Sequence, residues 1–375
     1  MSVYLDYNAT ARVRPEAAAA VARALQLGGN PSSVHAAGRA ARAVVEAARA
    51  DVARLVGALP ASVVFTSGGT EANALAIESA VRGGCGRIIV GATEHDAVLE
   101  NARAAGVPVE IWPVDDGGVA DLIWLVNRLN VGPRALVCLM LANNETGVIQ
   151  PVAAAAEAVR AADGWLHVDA VQAAGKIPID LGALGADTLA LSAHKLGGPQ
   201  GVGALVAGPR AALARRLHGG GQERGRRAGT ENVPGIAGFG AAASLAANEP
   251  ARLTAFAEYR DHLAQTVKAA GAVVLGAGAP RLPQTLCFAA EGFGSELQVM
   301  GLDLAGVMVS AGAACSSGKV KPSRVIEAMG RADLAASAIR VSGGWATTAA
   351  DWVRCGEAWT EIFDRHRARR ASAAA

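Results

Sequence analysis

The sequence predicts an α/β protein: a large unit with a mostly parallel sheet, accompanied by a smaller α+β unit. Three observations carry that prediction. The 375 residues are more than one small core needs. Short β-branched or leucine-rich runs alternate with alanine-rich stretches from about residue 40 to 250, the pattern of a buried sheet covered by helices. From about residue 251 the alternation stops and a long helical stretch precedes scattered short strands.

In chain order, the expected strands are 63–66, 87–90, 135–141, 165–168, 188–191 and 202–206. Polar motifs follow the ends of these runs at 67–73, 93–96, 143–147, 169–172 and 192–195. Open α/β sheets bind ligands at the carboxyl ends of their strands, so motifs far apart in sequence can meet in one crevice. Beyond 251, a helix near 252–270 and strands near 285–288 and 307–310 are expected, with fraying from His366 to the end. No internal repeat is present.

The composition excludes several function classes. The longest uncharged stretch, 232–248, contains Pro234 and several glycines, so no membrane span is expected. A net charge of +2 gives no general affinity for nucleic acid, although Arg224, Arg226 and Arg227 form a local cluster that suits either a solvated loop or a phosphate or partner contact. The amino terminus passes within a few residues into Leu5, Asp6, Tyr7 and Asn8, with no basic region followed by an apolar core, and a cytoplasmic location is expected. The five cysteines (85, 138, 287, 315 and 355) lack zinc-like spacing, and disulfides are not expected in that compartment. No resident metal is therefore expected.

The chemistry concentrates on Lys195. Only five lysines (176, 195, 268, 319 and 321) stand among many arginines, whose guanidinium groups cannot form an imine. Lys195 follows Ser192, Ala193 and His194 after an apolar run, with Asp169 and Gln172 a short way upstream. An amine beside an aldehyde, with a carboxylate keeping a pyridine nitrogen protonated, is the requirement of pyridoxal phosphate. For Asp169 the structural alternative is a helix cap. Ser67, Gly68, Gly69 and Thr70 lie between a strand and a helix, where backbone amides and the helix dipole receive phosphate, with Ser192, His194 and Thr230 as further contacts. His95 is placed to stack on a flat ring and move protons, against the alternative of a structural histidine. Asn143 and Asn144 offer an amide to a cofactor oxygen or a substrate carboxylate, or else form an Asn-rich turn. Arg340 is a fork for a carboxylate or half of a structural salt bridge. Cys315, in a run of small residues before Lys319 and Lys321, is the reactive thiol, while Cys138 and Cys287 sit in apolar strands as inert core.

These residues resemble the cysteine desulfurases, members of the aspartate aminotransferase-like fold (fold type I of the pyridoxal phosphate enzymes). The matching segments are 4–10, 29–33, 65–73, 94–99, 143–150, 167–179, 192–203, 219–232, 310–318 and 339–342. The resemblance implies that Lys195 holds the cofactor, that Asp169, Gln172 and His95 contact its ring, and that Gly69, Thr70, Ser192, Ala193 and His194 form the phosphate site. Asn144 and Arg340 fall to cofactor and substrate. Thr230 would reach the phosphate of a neighbouring subunit, which implies a homodimer. It also implies that residues 1–14 join 251–375 in the smaller unit, leaving 15–250 as the larger. L-Cysteine would give L-alanine and a persulfide on Cys315. The span 310–340 is similar to the long-loop class, which hands sulfur to an acceptor such as an iron-sulfur scaffold, so Cys315 would touch a cluster as cargo during transfer. Ala193, often glycine in relatives, and the basic Lys319 and Lys321 depart from the common pattern.

Two rivals are open at this point. A selenocysteine lyase or another lyase or aminotransferase of this fold would keep Lys195 and Asp169 without using Cys315. A noncatalytic sulfur-relay partner would be expected to lack Lys195 or Cys315.

Overall fold

The computed structural model describes residues 2–312 and 321–374. Its centre is a seven-stranded sheet of β2 (Val63–Thr66), β3 (Arg87–Gly91), β4 (Val109–Trp112), β5 (Ala135–Cys138), β6 (Trp165–Asp169), β7 (Thr188–Ser192) and β8 (Gly203–Ala207), in the order β2-β8-β7-β6-β5-β3-β4. All neighbours are parallel except β8, which runs antiparallel to both β2 and β7. The β2, β3 and β5–β8 strands are buried along their whole length, as their unbroken apolar runs require.

The sequence reading missed β4. Its residues, Val-Glu-Ile-Trp, pair on one side only, and all but the buried Trp112 stay partly exposed, with Glu110 interrupting the apolar run that marked the other strands. The helices Ala36–Leu55, Val152–Ala161 and Val233–Ala246 pack on the sheet through small residues. Alanine and glycine let helices approach closely, and Gly240 lies so near Ala48 that a Cβ there would come within 2.6 Å of it.

Because β8 runs backwards, its first residue, Gly203, lies at the edge where β2 and β7 end, paired with both Thr66 and Ser192. A Cβ on Gly203 would stand 2.6 Å from the Gly68 backbone. Glycine there lets the turn after β2 settle against the sheet.

A second apolar cluster gathers Leu253, Phe256, Leu263, Phe288, Trp352 and Trp359, joined by Val3 and Leu5 from the amino terminus. It packs around an antiparallel sheet, β12-β13-β10-β9, of β9 (Val273–Val274), β10 (Thr285–Ala289), β12 (Ser310–Ala311) and β13 (Ala338–Ser342). The strand expected at 307–310 is divided. Val307–Met308 (β11) pairs in parallel with β1 (Val3–Tyr4), while Ser310–Ala311 turns to β13. The helix expected at 252–270 is likewise broken, into Pro250–Thr254 and Phe256–Ala269.

The end of the chain does not fray at His366, as the sequence reading expected. The last helix runs Ala349–Ala374. The His366 ring stacks on Phe293 with centroids 4.3 Å apart and its Nε2 meets Gly292 O at 3.0 Å, a tertiary anchor with no local sequence signal. Among the described residues no helix is long and apolar enough to cross a membrane, and no cluster of His, Cys, Asp or Glu is placed to hold a metal ion.

Candidate active site

The carboxyl ends of β2, β3, β6 and β7 open on a cleft of about 380 Å³. Gly69, Thr70, His95, Asn144, Asp169, Gln172, Ser192, His194, Lys195 and Arg340 all line it. Two predicted residues do not. Thr230 is exposed and away from the cleft of its own chain. Ala193 is buried beneath it and spends its amide on Val202 O at 3.1 Å. Cys315 lies outside the described residues; Gly312, on the cleft wall, is the nearest described residue before it.

Lys195 ends a single 3-10 turn, Ala193–Lys195, that directly follows β7. Its Nζ donates to Asn8 O at 2.5 Å and Ala9 O at 2.8 Å. Asp169 is the last residue of β6. Its Oδ2 accepts from Asn73 Nδ2 at 2.8 Å and its Oδ1 from Val171 N at 2.9 Å. The Asn73 carbonyl in turn meets His167 Nε2 at 2.9 Å, and His167 Nδ1 meets Thr188 Oγ1 at 2.9 Å. An amide oxygen only accepts, so Nε2 carries the hydrogen and Nδ1 takes the threonine hydroxyl. Burial pushes His167 down to about 4, partly opposed by the charge of Asp169, so the ring is neutral. A buried chain of four side chains thus fixes the carboxylate.

The helix Gly69–Arg82 points its amino end into the cleft. A Cβ on Gly69 would stand 2.9 Å from Val171 Cγ2, so glycine keeps this cradle open. A helix amino end offers unpaired amides and positive dipole to a phosphate. His194 donates to or accepts from Thr10 Oγ1 at 3.1 Å; burial pushes it down to about 4, with the Lys195 charge adding to the effect. His95 caps the helix Asp96–Arg103 by accepting Ala97 N–H on Nδ1 at 3.0 Å, which leaves the ring hydrogen on Nε2.

Two open alternatives divide neatly in space. Asn143 is the turn residue, its Oδ1 accepting from Glu145 N and Thr146 N at 2.9 Å each, whereas Asn144 faces the cleft. Arg340 also lines the cleft, yet it holds Asp6 Oδ1 at 2.7 Å and Asn144 O at 3.1 Å, while its buried Nε has no hydrogen-bond partner among the described residues. Within the Arg224–Arg227 cluster, Arg227 forks onto Glu71 and Arg226 donates to Ala61 O at 2.9 Å. The four described cysteines are buried. Burial raises the pKa of each, Cys355 to about 12, so none is a nucleophile.

The sequence reading missed Asn73, His167 and Asn8. Two were within reach: Asn73 lies one helical turn beyond Gly69, and His167 shares a strand face with Asp169 two residues on. Asn8 had no local signal. Glu145 is a further buried carboxyl, taking Ser323 Oγ at 2.5 Å and packed against Gly312. Burial raises it to about 7, opposed by that hydrogen bond and by Arg340, Arg324 and His95. A carboxyl raised above its ordinary value contributes stability below pH 4.5 that is lost as pH climbs through 7. Glu145→Gln is therefore expected to match the wild type at pH 5 and exceed it at pH 8, by about 2–3 kcal/mol. Thermal unfolding at both pH values checks this; an equal difference at both would refute it.

A sheet of this topology, with a lysine amine, a doubly held carboxylate and a helix amino end meeting at its carboxyl edge, has the donor set that pyridoxal phosphate requires. Residues 3–353 match the aminotransferase class-V family. A cysteine desulfurase of Cereibacter sphaeroides is 46% identical, over 98% of this chain and 97% of its own. A putative cysteine desulfurase, IscS 1, of Bacillus subtilis is 40% identical, over 86% and 87%. The solved NifS-like protein of Rickettsia africae superposes with a TM-score of 0.89 at 32% identity, covering 97% of this chain and 100% of that one. The chain belongs to the aminotransferase class-V family and, within it, to the pyridoxal phosphate-dependent cysteine desulfurases.

Proposed function

We propose that the cleft binds L-cysteine against pyridoxal phosphate and passes its sulfur to Cys315, releasing L-alanine. The observation that carries this reading is the convergence of Lys195, Asp169 and the amino end of Gly69–Arg82 on one cleft. When bound, the cofactor supplies an electron sink next to the substrate amine. Asp169, braced by Asn73 and Val171, holds a proton on the ring nitrogen. The amides of Gly69 and Thr70, with Ser192 and His194, hold the phosphate. Asn144 and Arg340 orient the substrate carboxylate. Lys195 Nζ and His95 Nε2 carry protons to and from the substrate carbons.

The sulfur step needs no outside oxidant or reductant. The Cys315 thiolate forms an S–S bond as the substrate C–S bond breaks; the electron pair stays with carbon, which gains a proton and becomes the alanine methyl. The persulfide then goes to an acceptor protein such as an iron-sulfur scaffold in the cytoplasm. The exposed Thr230 completes the phosphate site of a second copy, making the enzyme a homodimer. In this reading residues 15–250 form the cofactor unit, and 1–14 with 251–375 the unit that carries Cys315.

The test is purified protein with L-cysteine, measuring alanine and the intact mass of the protein, beside Cys315→Ala. The wild type is expected to release alanine and gain one sulfur; the variant keeps the cofactor colour but loses both products. Alanine formed equally by the variant would remove Cys315 from the mechanism.

A further inference from the structure

Behind Lys195 stands a second amine with no role in the steps above. Lys176 is buried, and its Nζ donates to Gln172 Oε1 at 2.7 Å and to Asn8 Oδ1 at 3.1 Å. Both acceptors are neutral amides, and no carboxylate pairs with it among the described residues. Two acceptors satisfy the two N–H bonds of an uncharged amine, whereas an ammonium would bring a third. Burial, reinforced by the Lys195 and Arg340 charges, favours the uncharged form.

The same two amides define the surroundings of Lys195. The Asn8 carbonyl takes both Lys195 Nζ at 2.5 Å and Gln172 Nε2 at 2.9 Å. Since that carbonyl only accepts, the nitrogen end of Gln172 must face it, and the oxygen end is held by Lys176. Gln172 lines the cleft, so its second N–H is the group left to point at a ligand.

We infer that Lys176 is a positioning residue for the cofactor ring, clamping Gln172 so that it presents an N–H rather than a carbonyl to an anionic ring oxygen. This rests on the pyridoxal phosphate reading of the cleft. An N–H donated to that oxygen holds negative charge there and makes the adjoining lysine-linked nitrogen harder to protonate. Loss of the clamp leaves the Asn8 carbonyl as the single described anchor of the Gln172 amide, and the donation to the ring oxygen weakens. The charged and titratable groups around the clamp are Lys195, Arg340, Asp169 and His194 on the cleft side and Tyr7, Arg14 and Glu249 behind it.

The test is an absorbance titration of the bound cofactor against pH in four holoenzymes: wild type, Lys176→Met, Gln172→Ala and the double variant. One hydrogen bond to a charged oxygen corresponds to about one pH unit. Lys176→Met is expected to raise the midpoint by about that amount, Gln172→Ala to do the same, and the double variant to add nothing further. An unmoved midpoint in Lys176→Met overturns the inference. So does a double variant showing the sum of the single shifts, because Lys176 would then act by charge or packing and not through Gln172. If Lys176→Met does not fold, Lys176→Gln keeps a polar group that is too short to span both amides and reads the same midpoint. A wild type that shows no cofactor band sinks the reading of the cleft; a band that titrates alike in every variant sinks this inference alone.

Discussion

Lys195→Ala is expected to lower alanine formation from L-cysteine by at least about 10³-fold, with the fold intact. Its amine is held by two backbone carbonyls, Asn8 O and Ala9 O, at the end of a short turn, and among the described residues no other lysine lines the cleft. Lys176 cannot stand in, since its Nζ is engaged behind Gln172. Covalent capture gives an independent readout. Borohydride treatment is expected to fix one cofactor mass on the wild-type peptide that contains Lys195 and none on the variant. A variant that retains turnover within tenfold of wild type would end the assignment of Lys195.

The second large effect is expected at Asp169. Asp169→Asn keeps the volume but removes the negative charge and leaves one acceptor oxygen where the carboxylate offers two, to Asn73 and Val171. Loss of one preorganised electrostatic partner costs about 10²–10³ in turnover. The expected pattern is retained cofactor, retained fold and a fall of that size in the maximal rate, with the Michaelis constant for cysteine changed far less. Asn73→Ala, which frees one side of the carboxylate, is expected to cost about 10–100-fold. If Asp169→Asn changes only the amount of cofactor bound, the carboxylate serves binding alone.

Much of this protein was legible in one dimension because its chemistry hangs on strand ends. A buried strand advertises itself as an apolar run, and the residue after the run must sit at the sheet edge, so Asp169, Ser192 and Lys195 could be placed from their neighbours alone. The four inert cysteines were partly legible for the same reason: Cys138 and Cys287 sit inside such runs. Strand β4 escaped because half-exposed edge residues carry no such pattern.

What the sequence determined by itself was therefore the buried strands of the central sheet, the sheet edge on which ligands bind and most of the residues that line it. Tertiary structure alone decided how those residues are held. Asn8 reaches Lys195, Gln172 and Lys176 only because the amino-terminal segment crosses back to the cleft, where Asp6 meets Arg340 and Ser342. The division between Asn143 as a turn and Asn144 as a cleft residue turned on which side chain the loop buries. The last helix persists past His366 because Phe293 and Gly292 receive its side chain. Local sequence fixes periodicity and end signals within a few residues, whereas the partners of a buried polar group are chosen by chain segments hundreds of positions away.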